Sequence, residues 1–315
     1  MWAEAARSYA SHFGEAYAAD ITRLSAEDFV SLTRGRTVAA VVAGPPCQPF
    51  SRASSGALGE EDPRGEIALH VVRAVRALRP RVVVMEQAPT LMARFAPFLR
   101  RVGTELEAAG YDTQATLVDM SRYGVPQKRR RTFVVGVRRS PGLPHPPRSH
   151  FSPPSADVTT LRGFAWGREA DGERVSEAHW ARIAAYERQS RCARPRDLRP
   201  DEPSRTVTAS NIMSTTNDCL RVLVPAGEGG GEAWRRKISF EEAEALMTLP
   251  RGWTSRATSK RDRARLIGNA VPPAVLGNLL APHVVAVVEG GEEEARSAAS
   301  AATAEATDHR APGSG

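Results

Sequence analysis

The sequence is poor in cysteine and contains no long apolar run. Its 315 residues include three cysteines, Cys47, Cys192 and Cys219, which are too few and too scattered for a disulfide framework or a metal cluster. No stretch approaches the roughly 18 uninterrupted apolar residues of a membrane span. The N-terminal segment carries acidic residues and lacks the apolar core of a secretory signal. These absences predict a cytoplasmic protein without a bound metal.

Lysine is also scarce, since 40 of the 43 basic residues are arginine. The formal net charge is +7, but residues 290–315 carry a net charge of −3, so the rest of the chain stands at +10. A basic body favours a polyanionic partner such as nucleic acid, although GC-rich coding also enriches a protein in arginine. The tail 290–315 contains almost no large apolar residues, and we expect it to be disordered.

Helical spacing and short valine-rich runs alternate along residues 1–138. In chain order the predicted elements are helix 3–13, strand 37–43, helix 66–78, strand 81–86, helix 95–109, strand 113–119 and strand 131–137. Such alternation is typical of an α/β fold with a doubly wound, mostly parallel sheet.

The rest of the chain divides by composition. Residues 139–204 are rich in Pro, Arg, His and Ser and show poor periodicity, which predicts a loop-rich insert. We expect the chain to return to the core over 205–289. There Ser239 and Glu242 form a capping box that predicts a helix over 240–249, and a last helix follows the prolines at 272–273.

The first chemical signal is Cys47, in the segment Gly-Pro-Pro-Cys-Gln-Pro-Phe-Ser at 44–51. This segment follows a predicted strand, and ligands of open α/β sheets bind outside the carboxyl ends of the strands. A lone cysteine in a turn is most often buried and inert. Prolines on both sides of Cys47 favour exposure of the thiol instead, so we interpret it as a candidate nucleophile.

Two further signals lie at the ends of later strands. Glu86 ends the second predicted strand, so a carboxylate and a thiol are predicted to meet in one crevice. Alternation places Arg129 and Arg131 on one face, where guanidinium groups can clamp a base or a phosphate. For Lys128 and Arg130 a solvated charge run is the simpler interpretation, just as a lone strand-end glutamate is usually solvated or caps a helix.

These residues belong to a set of short blocks that occur in the order typical of one family. The blocks are Asp20-Ile21-Thr22, Pro46-Cys47-Gln48, Asp62-Pro63-Arg64-Gly65, Glu86-Gln87-Ala88, the Gln-x-Arg-x-Arg pattern at 127–131, Arg205-Thr206-Val207-Thr208, and Gly268-Asn269-Ala270-Val271-Pro272-Pro273. In this ordered set, over residues 1–139 and 200–285, the chain resembles the DNA (cytosine-5) methyltransferases.

The resemblance implies a covalent mechanism that uses S-adenosylmethionine. Cys47 would add to carbon 6 of cytosine, and Glu86 would bond to ring N3 and the exocyclic amine. Arg129 and Arg131 would hold the base and its phosphate and favour the thiolate. Because the target base lies inside a duplex, it must be flipped out, and residues 48–62 would close over it as a lid.

The resemblance also implies binding residues and partners. Cofactor contacts are expected at Asp20, Ile21, Pro46, Ile67 and Asn269, and DNA contacts at Gln48, Ser51, Gln127, Arg205 and Thr206. Residues 139–204 would form the target-recognition region. The implied partner is double-stranded DNA, bound by a monomer that acts in restriction–modification with an endonuclease encoded nearby or as an orphan methylase.

Two departures from the family pattern lead to further expectations. The first family strand and its Phe-x-Gly-x-Gly cofactor loop are absent from the sequence, because Met1 aligns about 40 residues into the pattern. This predicts an incomplete sheet and weak cofactor binding by residues 1–315, from either a late start codon or a truncated gene. Gln87-Ala88 stands in place of Asn-Val, a change that we expect to be tolerated.

Two alternative functions stay open at this point. One is an inactive remnant that only binds DNA. The other is a tRNA cytosine-5 methylase of the same fold, which carries a Cys-Phe-Thr signature. Cys192 and Cys219 stand in Cys-Ala-Arg-Pro and Cys-Leu-Arg-Val instead, and this argues against the second alternative.

Overall fold

The computed structural model describes residues 2–50, 62, 64–139, 157–166, 172–190, 196–216, 218–224 and 233–279. The helices are α1 (Ala3–Phe13), α2 (Ala26–Leu32), α3 (Ile67–Leu78), α4 (Thr90–Arg94), α5 (Ala96–Ala108), α6 (Glu177–Gln189), α7 (Ala209–Met213), α8 (Phe240–Leu246), α9 (Lys260–Asn269) and α10 (273–279). The strands are β1 (Ala40–Ala43), β2 (Val82–Gln87), β3 (Tyr111–Asp119), β4 (Gln127–Lys128), β5 (Arg130–Arg138), β6 (Ser204–Arg205), β7 (Arg221–Val224) and β8 (Trp234–Lys237). The predicted tail at 290–315 and most of the predicted lid, including Ser51, lie outside this set.

Four strands form the central sheet, in the order β1-β2-β5-β3. β1 pairs with β2 in parallel, whereas β5 is antiparallel to both β2 and β3. The predicted α/β class is therefore confirmed, and three of the four strands run in one direction. The reversed β5 has a simple cause: only residues 120–129 connect it to β3, and such a connection returns the chain antiparallel, whereas α3 carries the chain from β1 to a parallel β2.

Helices cover both faces of this sheet, as a doubly wound fold requires. Val83 and Met85 of β2 pack in one apolar cluster with residues of α3 and α5 such as Val75 and Leu106. The alternate residues Val82 and Val84 lie in a second cluster that also contains residues of α10. Within the described part of the chain, β1 is an edge strand, and its Val42 is 48% exposed.

Local signals set several helix boundaries. α5 ends at Ala108, and Gly110, two residues later, takes a positive φ of 93° that glycine adopts readily after a helix. The capping box of Ser239 and Glu242 at the start of α8 is confirmed. α8 ends at Leu246, three residues before the predicted end, because Thr248 takes a positive φ of 54° and the Leu249 N–H bonds back to the Glu244 carbonyl.

A second body, made of the described residues between 157 and 269, surrounds a third apolar cluster. Leu161 and Leu198 pack there with residues from 207 to 267, including Val207 and Leu246. From Val271 onward the chain contributes to the second apolar cluster, which lies against the central sheet. Residues 205–269 share their apolar neighbours with the region that had been predicted as an insert.

The predicted loop-rich insert also contains α6, a helix of 13 residues. Ser176 caps it by accepting a hydrogen bond from the His179 N–H. Its buried residues are Ile183 and Glu187, and Glu187 is an ion-pair partner of Arg221. The helix was missed because half of its buried face is charged, so the apolar repeat that predicts a helix is weak.

Among the described helices, none has the length and apolar character needed to cross a lipid bilayer.

Candidate active site

Cys47 lies in the loop that follows β1, as predicted. The thiol is half-buried and packs against the apolar cluster that also holds Phe50, and the Phe50 N–H donates to the Cys47 carbonyl at 3.1 Å. A Cβ at Gly44 would lie 3.9 Å from the Val271 side chain, so the start of this loop is close to the C-terminal motif at 268–273. The start of the Cys47 loop therefore lies between the edge of the sheet and this C-terminal motif.

Glu86 and Arg131 meet across neighbouring strands. Glu86 pairs in register with Phe133 of β5, and Arg131 is two residues away on the same face. Arg131 Nε lies 2.9 Å from Glu86 Oε1, and both side chains are largely buried. Glu86 Oε1 nevertheless has no aligned hydrogen-bond partner among the described residues. A buried carboxylate oxygen in this state is ready to interact with an incoming polar ligand.

Burial has the largest effect on the pKa values of Cys47 and Glu86. It raises the pKa of the Cys47 thiol, and the nearby Glu86 raises it further, while Arg131 and Arg129 act in the opposite direction. Burial also raises the pKa of Glu86 against the opposing charges of Arg131 and Arg129. The guanidinium groups favour the thiolate, as expected, but burial outweighs them. Burial therefore shifts both groups toward their neutral forms, the thiol of Cys47 and the protonated carboxyl of Glu86.

Arg129 and Gln127 are buried, and their side chains hydrogen-bond to residues of the second body. Arg129 donates to the carbonyls of Val207, Gly268 and Ala270 at 3.0 to 3.3 Å, and burial lowers its pKa to about 10. Its charge reaches Cys47 and Glu86, but these carbonyls occupy its guanidinium.

Gln127 is fully buried, and each end of its amide has a partner. Its Nε2 donates to the Leu246 carbonyl at 3.1 Å, and its Oε1 accepts from the Val207 N–H at 2.8 Å. A side chain in this position is not accessible to DNA. The expected DNA contact of Gln127 is therefore corrected to a structural role.

Two of the expected cofactor residues, Ile21 and Pro46, lie close to Cys47. Ile21 packs on the apolar cluster that includes Cys47, and Pro46 is half-buried beside it. Asp20 Oδ1 accepts from the Thr22 N–H and hydroxyl, which lower the pKa of Asp20, and Oδ2 lies 3.8 Å from Arg23 Nε.

The two remaining cofactor candidates end or begin helices. Ile67 is half-buried at the start of α3, and Asn269 is exposed at the end of α9. Together with Asp20, Ile21 and Pro46, they offer apolar surface and polar edges of the kind that an adenosyl group requires.

On the expected DNA side, Arg205 and Thr206 lie where β6 pairs with β4. Arg205 donates to the Asp218 carboxylate at 3.2 Å and the Cys219 carbonyl at 2.9 Å, and burial lowers its pKa. The Thr206 hydroxyl donates to the Lys128 carbonyl. Both side chains are half-buried and engaged within the protein. The side chain of Gln48 lies outside the part of the structure that is described.

Sequence reasoning gave no role to Gln87, the residue after Glu86. Gln87 is 3% exposed, and its Nε2 donates to the Pro45 carbonyl at 3.0 Å. The strand end that carries Glu86 is thus bonded directly to the loop that carries Cys47. The departure from the family pattern at this position was the available signal.

Known proteins resemble the chain over nearly its whole length. The model of one family, described as C-5 cytosine-specific DNA methylase, matches residues 1–283. The Type II methyltransferase M.AplI of Arthrospira platensis is 30% identical over 251 residues, which cover 79% of this chain and 69% of that protein. For M.HgiDI of Herpetosiphon aurantiacus, also a Type II methyltransferase, the identity is 27% over 276 residues, covering 86% and 81%. The crystal structure of the S. pombe Dnmt2 methyltransferase has the same fold, with a TM-score of 0.65 and 18% identity over 89% of each chain.

Proposed function

Because the chain belongs to the C-5 cytosine-specific DNA methylase family, we propose that it transfers a methyl group from S-adenosylmethionine to carbon 5 of cytosine in duplex DNA. The observation that carries this proposal is the meeting of Cys47, Glu86 and Arg131 at adjoining strand ends, with Glu86 Oε1 buried beside Arg131 and without an aligned hydrogen bond in the described structure. A nucleophile and an acid beside one crevice are what addition to a cytosine ring needs.

In the proposed mechanism Cys47 Sγ forms a bond to carbon 6 while Glu86 engages ring N3. The raised pKa of Glu86 suits this task, because a protonated carboxyl donates the hydrogen bond that neutralises the ring as the thiolate adds. Once Glu86 is held neutral by the base, its charge no longer opposes the Cys47 thiolate, and the positive charges of Arg131 and Arg129 then favour the thiolate. Arg131 keeps the carboxyl aimed at the base.

Asp20, Ile21, Pro46, Ile67 and Asn269 would hold S-adenosylmethionine, which supplies the methyl group when bound. A base then takes the proton from carbon 5, the bond between carbon 6 and Sγ breaks, and Cys47 leaves as the thiolate. The reacting carbons of a paired cytosine are stacked in the duplex, so the base must be flipped into the crevice. The Type II methyltransferases among the relatives support a place in restriction–modification.

Covalent trapping tests this proposal. Duplex DNA with 5-fluorocytosine at the target should trap the protein in the presence of S-adenosylmethionine, because carbon 5 then carries no proton to lose. Peptide mapping should locate the adduct at Cys47. Cys47→Ser should give no adduct and yet bind DNA with nearly unchanged affinity, since phosphate contacts dominate that affinity. An adduct at Cys192 or Cys219 would contradict the assignment of Cys47.

A further inference from the structure

Two hydrogen bonds hold the loop that carries Cys47, one on each side of the thiol. The Gln87 amide donates to the Pro45 carbonyl at 3.0 Å, two residues before Cys47. The Thr90 hydroxyl donates to the Phe50 carbonyl, three residues after it. Both donors come from the end of β2 or the first turn of α4. The element that carries Glu86 therefore also holds the backbone around Cys47.

The hydrogen bond between Gln87 and the Pro45 carbonyl lies in the protein interior. Gln87 is 3% exposed and Pro45 is buried, so neither group can turn to water when the bond is lost. Along β2 the side chains alternate, which places Glu86 on the face that meets Arg131 and Gln87 on the opposite face, toward the Cys47 loop. Two successive residues thus place the two reacting groups of the site.

We propose that Gln87 is a positioning residue for catalysis: its bond to the Pro45 carbonyl holds Cys47 at a constant distance from Glu86. The inference rests on the proposed function, in which the thiol and the carboxyl must act on the same base. A shift of about 1 Å between reacting groups costs on the order of a hundredfold in rate. A loop held at only one end leaves the thiol free to move by such a distance.

The residue opposite Gln87 provides a matched control. Thr132 of β5 pairs with Gln87 in register, is fully buried, and has a hydroxyl without a hydrogen-bond partner in the described structure. Thr132→Val removes that hydroxyl at nearly constant shape beside Gln87 and breaks no observed bond. It therefore reports what a local change of packing does when the loop is still held.

The test compares Gln87→Leu, Gln87→Met and Thr132→Val in the full chain by two readouts. The first is single-turnover methyl transfer to duplex DNA at saturating substrate. The second is the rate at which iodoacetamide alkylates Cys47 in the free protein, measured by peptide mass spectrometry. Cys219, which is completely buried, is followed in the same digest as a monitor of global unfolding.

We expect both Gln87 variants to lose about tenfold or more in the methyl-transfer rate with DNA affinity unchanged, because a buried carbonyl has lost its donor. Cys47 should be alkylated several times faster, while Cys219 stays protected and Thr132→Val behaves like the wild type. Gln87→Met keeps the length of the side chain, has no hydrogen-bond donor, and decides the outcome if Gln87→Leu does not fold.

Two results would overturn the inference. One is wild-type rates of both methyl transfer and Cys47 alkylation in the Gln87 variants. The other is an equal loss in Thr132→Val, which would assign the effect to packing. The alkylation readout needs no methyl transfer, so an inactive wild type in which only the Gln87 variants expose Cys47 would refute the proposed function and leave the loop contact supported.

Discussion

Two buried pairs of arginine and glutamate in this protein differ in how completely they are bonded. In the second body, Arg236 Nη1 and Nη2 donate to both oxygens of Glu242 at 2.7 and 2.6 Å, and the Ser239 N–H adds a third bond at 2.7 Å. At the sheet, Glu86 meets Arg131 through one oxygen, and that oxygen has no aligned hydrogen bond. Both oxygens of Glu242 therefore accept hydrogen bonds, so this pair is saturated. Glu86 Oε1 accepts no aligned hydrogen bond from the described residues, so the second pair is unsaturated.

The difference extends to the surroundings of each pair. In the second body Arg221 is bonded to both Glu187 and Asp197, and Glu244 accepts from the N–H groups of Gly252 and Thr254. Near Glu86, buried atoms such as Gln87 Oε1 and Arg129 Nε lack hydrogen-bond partners within the described structure. Saturated buried charges stabilise a fold, while unsaturated ones mark a place where a ligand completes the bonding.

The largest expected effect separates activity from stability. Glu86→Gln keeps the shape of the side chain but cannot offer an acid, so methyl transfer should fall by about a hundredfold to ten-thousandfold. Because the pKa of Glu86 is raised, its environment favours the neutral form, and the neutral amide should leave the melting temperature at pH 8 unchanged or higher. Single-turnover assays and thermal melts check the two halves. A large loss of stability would mean that Glu86 is a structural residue like Glu242.

The saturated pair should respond in the opposite way. Arg236→Met leaves the buried Glu242 carboxylate without its cation, so the free energy of unfolding in urea should fall by about 3–5 kcal/mol. Arg235→Met is the control: Asp197 loses one cation but keeps Arg221, and the decrease should be clearly smaller. Equal decreases in the free energy of unfolding of Arg236→Met and Arg235→Met would contradict a special structural role of the Arg236–Glu242 pair.

The smallest expected effect is on the pH dependence of stability. A carboxyl whose pKa is raised on folding contributes stability that is present below its unfolded pKa, near 4.5, and is lost as the pH rises through its folded pKa. The wild type should therefore lose stability relative to Glu86→Gln as the pH is raised from 4 toward 8. Urea denaturation of both proteins across that range measures the difference, and a difference that shrinks or stays constant would contradict the raised pKa of Glu86.

Sequence reasoning predicted the part of the site that depends on strand ends. Cys47 and Glu86 could be placed because each follows or ends a short valine-rich run, and the carboxyl ends of parallel strands meet at one edge. Arg131 followed from alternation along β5. The same rule failed for Arg129, since β5 begins only at Arg130, and the Arg129 side chain turns instead to carbonyls of the second body.

Other features depended on partners far away in the chain. Gln127 read as a polar residue available to DNA, yet Val207 and Leu246, 80 and 119 residues later, occupy its amide. α6 was missed because the buried Glu187 is stabilised by Arg221, a residue 34 positions away. The sequence around a polar residue does not reveal whether its side chain bonds to water or to a residue far away in the chain.

Local order in the chain was enough to establish the family resemblance, the α/β class, most boundaries of the helices and strands around the sheet, and the positions of Cys47 and Glu86 at the ends of strands. Those features follow from short-range periodicity, proline and glycine positions, and the order of a few motifs. Only the tertiary structure decided which buried polar groups are satisfied. In the structure Glu242 is hydrogen-bonded to Arg236, Glu86 Oε1 has no aligned hydrogen bond in the described residues, and Gln87 donates to the Cys47 loop. Packing in three dimensions determines these hydrogen-bond partners, and distance along the chain does not.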